Sequence, residues 1–76
     1  MTGRGRPVDD LRLFVNGEVK TLRGEATVAD LIALLGAEPK GLAVAVDGQV
    51  VPRSLWATRT LETDARVEIV TAAAGG

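Results

Sequence analysis

The sequence has no histidine, cysteine or tyrosine, and its only serine is Ser54. These absences exclude thiol nucleophiles, disulfides, histidine general bases and zinc sites of the usual Cys/His kind. Ser54 also has no histidine that could activate it as a nucleophile. We therefore expect no catalytic residues and no metal site, and we do not expect the chain to be an enzyme.

An excess of charge and long apolar segments are missing as well. Nine Lys and Arg against ten Asp and Glu leave a net charge of -1, which argues against electrostatic binding of nucleic acid. No apolar run approaches the roughly 20 residues of a membrane-spanning helix, and residues 1–7 lack the apolar segment of a secretory signal. With 76 residues, the chain is expected to be one small cytoplasmic domain that is monomeric alone, binds neither nucleic acid nor membrane, and acts through protein partners.

One basic motif near the start needs a separate interpretation. Gly-Arg-Gly-Arg-Pro at residues 3–7 matches the core of an AT-hook, which inserts arginine into an A·T-rich minor groove. The motif occurs once, and Asp9 and Asp10 follow it. We expect residues 1–9 to be a solvated, flexible lead-in to the domain rather than a DNA-binding element.

The first regular structure predicted is a β-hairpin. Leu11, Leu13 and Val15 alternate on one face of a strand at residues 11–15, and a second strand is expected at 18–23. Asn16-Gly17 joins the two runs. Asn-Gly favours a type I′ turn because both central residues of that turn need a positive φ.

The apolar spacing then becomes helical. Residues at i, i+3, i+4 and i+7 fall on one helix face, and here they are Val28, Leu31, Ile32 and Leu35. Thr27 is a suitable N-cap, with Asp30 placed to complete a capping box. Gly36 suits the left-handed residue that ends a helix.

Short strands are predicted in the rest of the chain. They are expected at 43–46, at 49–51 after an Asp47-Gly48 turn, and at 66–70, with a helical turn capped by Ser54 between the last two. One helix can cover only one face of such a sheet, so the fold class is α+β, a two-layer roll with a mixed sheet of about four or five strands. The first and last strands are expected to pair in parallel at its centre. The domain is predicted at 10–71, followed by a flexible tail at 72–76.

The tail ends in Gly75-Gly76. Glycine lets an extended backbone pass through a channel too narrow for a Cβ atom, and it leaves the terminal carbonyl carbon open to attack. An ionised α-carboxylate is a poor electrophile, so it would first have to be activated, for instance as an anhydride with AMP. The chain has no phosphate-binding loop for ATP, so another protein would have to carry out that activation. The alternative is a frayed tail without a role.

These features resemble the ubiquitin-like sulfur carriers, and the ThiS family in particular. The resemblance covers about residues 11–76 and rests on the stretch 43–57, which contains Val-Pro-Arg-x-x-Trp, on the strand at 66–71, and on the terminal Gly-Gly. It implies a β-grasp fold. The family usually has Asp-Gly-Asp before its last strand, where this chain has Thr63-Asp64-Ala65. Asp64 can adopt the left-handed conformation at some cost, so the departure leaves the turn type open and does not change the expected fold.

The resemblance also implies a function. A ThiF-like adenylyltransferase would adenylate the Gly76 carboxylate with MgATP, and a persulfide donor such as a cysteine desulfurase would convert Gly76 to a thiocarboxylate. A ThiG-like thiazole synthase would then take the sulfur for the thiazole ring of thiamine. The chain would be a co-substrate that binds no cofactor itself.

Parity along the strands suggests where partners bind. If the larger aliphatic side chains face the helix, the outer face of the sheet holds Phe14, Ala43, Ala45 and Val70. An exposed apolar patch often marks a protein interface, so we expect this face to dock on partners. The alternative for Phe14 is a cross-strand pair with Val19.

Two residues after the fourth strand have structural and functional interpretations. Arg53 is either a surface charge or part of the partner interface, where arginine is enriched. Trp56 is expected to fill the edge of the core rather than to act as a binding hot spot, since burial dominates the energetics of tryptophan.

Three other functions remain open at this stage. The chain could carry sulfur for another product, as the small subunit of molybdopterin synthase does, although the tail at 71–74 has none of the prolines usual in that relative. It could instead be a ubiquitin-like modifier joined to lysines. A bare interaction domain is the remaining alternative.

Overall fold

The computed structural model describes residues 10–71. The lead-in expected at 1–9 and the tail expected at 72–76, with Gly75 and Gly76, lie outside the described residues. Five strands and one α-helix follow one another as β1 (Asp10–Val15), β2 (Glu18–Arg23), α1 (Val28–Leu35), β3 (Leu42–Val46), β4 (Gln49–Val50) and β5 (Ala65–Thr71). A short 3₁₀ helix, Arg53–Leu55, lies between β4 and β5.

The strands form one mixed sheet in the order β2-β1-β5-β3-β4. The first and last strands pair in parallel, with Phe14 opposite Arg66, and the other neighbours are antiparallel. β5 therefore lies at the centre of the sheet, as the sequence predicts. This arrangement, with α1 on one face, confirms the expected α+β roll.

Two tight turns of the same kind set the strand registers. Asn16 and Asp47 each have φ 51°, and the glycine after each has φ 84°. Both central residues of each turn are thus left-handed, as a type I′ turn requires. The first turn places Val15 opposite Glu18, and the second places Val46 opposite Gln49.

The ends of α1 have the predicted caps. The Thr27 hydroxyl accepts a hydrogen bond from the Asp30 amide at 3.1 Å, and the Asp30 carboxylate accepts one from the Thr27 amide at 2.9 Å. Gly36 ends the helix with φ 73°. Val28, Leu31 and Ile32 are buried, whereas Leu35, expected on the same face, is exposed.

The core lies between α1 and the inner face of the sheet. Each of β1, β3 and β5 buries its alternate residues there, as the burial of Leu13, Val44 and Val67 illustrates. Trp56 is also buried, and its indole N–H donates to the Val51 carbonyl at 2.9 Å. This burial confirms the interpretation of Trp56 as a core residue.

The segment after β4 differs from the sequence expectation. The 3₁₀ helix begins at Arg53, directly after Pro52, and no side chain caps it. The expected Ser54 cap is therefore wrong, because Ser54 lies inside the helical turn rather than before it. Pro52 with its fixed φ is a suitable residue to precede a helical turn.

Candidate functional site: the end of β5 and the outer sheet face

The C-terminal tail continues from Thr71, the last residue of β5. Near that point β5 is held on one side by β3, where Ala43 lies opposite Val70 and Leu42 opposite Thr71. On the other side the pairing with β1 ends at Val15 and Val67. Any chemistry at Gly76 would thus take place five residues beyond a strand at the centre of the sheet.

The side chain of Asn16 contacts β5 where β1 has turned away. Its amide oxygen accepts a hydrogen bond from the Ile69 N–H at 2.9 Å, and its amide nitrogen donates to the Ile69 carbonyl at 3.1 Å. The Asn16 backbone N–H also donates to the Val67 carbonyl at 2.8 Å. Sequence reasoning assigned Asn16 only to the turn.

The outer sheet face carries the residues that strand parity places there. Val70 is 58% exposed, Ala43 is exposed, and Phe14 and Ala45 are half-buried. The inner residues of the same strands, such as Leu13 and Val44, are buried. The prediction of which side chains face away from the helix is therefore confirmed.

Phe14 and Val70 nevertheless do not lie side by side. In the parallel pair Phe14 is opposite Arg66, four positions before Val70 along β5, and Glu68 lies between those two on the same face. Phe14 is opposite Val19 on its other side, and the Arg12 guanidinium carbon lies 5.8 Å from the centre of the Phe14 ring. The expectation that Phe14 and Val70 form one continuous patch is wrong, because charged side chains of β5 separate them.

An apolar patch does exist on the outer face near the end of β5. It consists of Ala43, Ala45, Val50 and Val70, and we call it the valine patch. Ala43 is opposite Val70, and Ala45 is opposite Val50. Val50 is 75% exposed, and it was missed by the sequence reasoning. The two-residue Asp47-Gly48 turn was the available signal, since its register puts Val50 opposite Ala45.

Arg53 is exposed at the start of the 3₁₀ helix, three residues after Val50. Its backbone carbonyl accepts a hydrogen bond from the Trp56 N–H at 3.1 Å. Its position is thus fixed by the local turn. Its role in partner binding remains a prediction.

Within residues 10–71, no three Asp or Glu side chains are grouped so that they could hold a metal ion. In the same part of the chain, no helix is long and apolar enough to cross a membrane.

The sheet order of the described residues, with one helix on one face and the last strand at the centre, defines a β-grasp protein. A profile of the ThiS family matches residues 13–76, which is most of the chain and includes Gly75 and Gly76. The chain therefore belongs to the ThiS family. Membership supports a role as a small sulfur carrier protein in thiamine biosynthesis rather than as a catalytic enzyme.

Solved structures agree with this assignment. The crystal structure of the thiamine biosynthesis protein ThiS from Geobacter metallireducens is 28% identical, with a TM-score of 0.76, over 87% of this chain and 100% of that chain. A solution NMR structure of a thiamine biosynthesis protein from the same organism is 26% identical, with a TM-score of 0.70, over 87% of this chain and 88% of that chain. A search of curated protein sequences found no match.

Proposed function

We propose that the chain carries sulfur as a thiocarboxylate on Gly76 and delivers it for the thiazole ring of thiamine. The observation that carries this proposal is the family match over residues 13–76, which extends through the terminal Gly75-Gly76. The composition supports it, because a carrier that is modified by other proteins needs no cysteine, histidine or ATP-binding loop of its own.

The chemistry proceeds in three steps at the C-terminal carboxyl group of Gly76. A carboxylate oxygen of Gly76 attacks the α-phosphorus of ATP in a ThiF-like adenylyltransferase, and pyrophosphate leaves. The terminal sulfur of a protein persulfide then attacks the carbonyl carbon and AMP leaves, which gives an acyl disulfide. A thiol of a partner protein then attacks the sulfur of the donor cysteine, so that a disulfide forms between these two partner sulfurs and the Gly76 thiocarboxylate leaves; this chain has no thiol of its own.

The outer face of the sheet supplies a docking surface for these partners. The valine patch lies on the strand that leads to the tail and on its neighbours β3 and β4. An enzyme that covers this patch would have the start of the tail at the edge of the contact. We propose that the adenylyltransferase and a ThiG-like thiazole synthase both bind this face, with Phe14 and Arg53 as further contacts.

An intact-mass experiment tests the proposal. The chain is incubated with an adenylyltransferase of the family, MgATP, a cysteine desulfurase and cysteine. The expected result is replacement of one oxygen by sulfur in the full chain and no change in a variant without Gly76. A mass change that survives the deletion would assign the modification to another residue and overturn the proposal.

The identity of the acceptor separates thiazole synthesis from other sulfur pathways. The purified thiocarboxylate is offered to a thiazole synthase and, in parallel, to the large subunit of a molybdopterin synthase. We expect sulfur transfer with the first and not with the second. Transfer in the molybdopterin reaction alone would keep sulfur carriage and reject the thiamine assignment.

A further inference from the structure

The contact between Asn16 and Ile69 extends the β1–β5 ladder beyond the end of β1. In a parallel ladder, a residue that donates its N–H to one carbonyl accepts, at its own carbonyl, the N–H two residues further along the neighbour. Asn16 donates its backbone N–H to Val67, so its backbone carbonyl would be the regular partner of the Ile69 N–H. Because the chain turns at Asn16, the side-chain oxygen takes that place at 2.9 Å.

The amide nitrogen of Asn16 completes the substitution. The Ile69 carbonyl would next accept a hydrogen bond from the backbone N–H two residues after Asn16 in a continuing strand. That N–H belongs to Glu18, which has already entered β2. The Asn16 Nδ2 donates to the Ile69 carbonyl instead, at 3.1 Å. The side-chain amide of Asn16 thus replaces a backbone peptide group and forms hydrogen bonds with both the N–H and the carbonyl of Ile69.

The type I′ turn alone does not require asparagine. Gly or Asp at the same position would also adopt the positive φ. Asp47 occupies the equivalent position in the second turn, with the same φ of 51°. Its backbone N–H donates to the Arg66 carbonyl at 2.8 Å, but its side chain contacts β5 only as an acceptor, from the Arg66 N–H at 2.9 Å. Of these two turn residues, Asn16 lies nearer the end of β5, and it is the one whose side chain both donates to β5 and accepts from it.

From this geometry we infer that Asn16 is a positioning residue for the C-terminal tail. By holding Ile69 on the side where β1 has ended, it keeps the last residues of β5 in the sheet and fixes the position and direction of Thr71, from which the chain continues toward Gly76. This inference rests on the proposed function, because positioning matters only if Gly76 must reach an activating enzyme.

The test compares two turns that differ in their distance from the tail. Asn16→Gly keeps a turn-compatible residue and removes both bonds to Ile69. Asp47→Gly is the matched control, because it makes the same change in the same kind of turn but releases Arg66, five residues before Thr71. Asn16→Asp keeps the acceptor and places a carboxylate against the Ile69 carbonyl, so it should not rescue the loss.

Two readouts are measured on each full-length variant. Amide hydrogen exchange of Val70, which pairs with Ala43 on the opposite side of β5, reports opening of the strand end. Steady-state kinetics of Gly76 adenylation report function. For Asn16→Gly and Asn16→Asp we expect the Val70 amide to exchange about three- to tenfold faster and kcat to fall by about the same factor. This is the size expected for lost hydrogen bonds. KM should remain unchanged because the valine patch is intact. Asp47→Gly should change neither.

The outcomes distinguish this inference from the proposed function. Equal losses of kcat in Asn16→Gly and Asp47→Gly would assign the effect to general destabilisation and overturn the inference, as would unchanged Val70 exchange in Asn16→Gly. If the unmodified chain is not adenylated at all, the proposed function fails. In that case the exchange measurement still decides whether Asn16 anchors the end of β5.

Discussion

Arg12 and Asp64 are joined by a pair of hydrogen bonds that places a guanidinium beside the Phe14 ring. The Arg12 Nε and Nη2 atoms donate to one carboxylate oxygen of Asp64 at 3.0 and 2.8 Å, and the Asp64 backbone N–H donates to the Arg12 carbonyl. Asp64 has φ 69°, so the turn before β5 uses the left-handed conformation that aspartate can adopt. The Arg12 guanidinium carbon lies 5.8 Å from the centre of the Phe14 ring. The turn at Asp64 therefore helps to hold the Arg12 side chain over Phe14.

Substitutions of Asp64 should separate backbone strain from the ion pair. Both side chains of the pair are more than half exposed, and exposed pairs contribute about 0–1 kcal/mol. Asp64→Gly loses the pair but accepts the positive φ freely, so its free energy of unfolding should change by less than about 1 kcal/mol. Asp64→Ala loses the pair and keeps the strain, at a further cost of about 1 kcal/mol. Urea unfolding of both variants checks this order, and equal stabilities would contradict it.

A core deletion in α1 should cost much more than an equivalent change on its exposed face. Leu31 is 0% exposed, whereas Leu34 is 62% exposed. Leu31→Ala is expected to lower the free energy of unfolding by about 2–5 kcal/mol, which approaches the whole stability of so small a domain. Leu34→Ala is the control and should change it by less than about 0.5 kcal/mol. Comparable losses in thermal or urea unfolding would mean that the helix face is wrongly assigned.

The sequence predicted those parts of the structure that depend on local chemistry. The Asn16-Gly17 and Asp47-Gly48 turns, the Thr27 cap and the buried face of α1 each follow from a few neighbouring residues, and so does the parity of the outer face. The relation of Phe14 to Val70 could not be predicted in this way, because it depends on the stagger between β1 and β5, which are far apart in the chain. The contact of Asn16 with Ile69 was missed for the same reason. A turn residue shows its own φ preference in the sequence but not the strand that its side chain will meet.

The penultimate glycine should matter for activation and not for folding. Gly75 lies beyond residues 10–71, which contain the core, so Gly75→Val is expected to leave Tm unchanged within about 1 °C, as for substitutions away from the core. A β-branched side chain would not enter a channel that admits only glycine, so adenylation of Gly76 should be abolished. Differential scanning calorimetry and the adenylation assay are run on the same sample, with Ala74→Val as the control. A fall in Tm comparable to that of Leu31→Ala would make the tail a structural element.

The strongest contact with the activating enzyme should lie in the valine patch rather than at Phe14. Val50 and Val70 are exposed, whereas Phe14 is half-buried, with Arg12 over its ring and Arg66 opposite. Val50→Ser and Val70→Ser are expected to weaken binding by about 1–2 kcal/mol each. Phe14→Ala should have a smaller effect on binding, since part of its surface already packs against Val19 and Arg12.

The folding stability of the same variants provides the control. Val50→Ser and Val70→Ser remove apolar surface that is already in water, so the free energy of unfolding should change by less than about 0.5 kcal/mol. Phe14→Ala should lower it by about 1 kcal/mol, through loss of the cross-strand pair with Val19. Isothermal titration calorimetry with the adenylyltransferase, beside urea unfolding, measures both quantities. If Phe14→Ala reduces affinity more than either valine substitution, the docking surface is centred on β1 and β2 rather than on the valine patch.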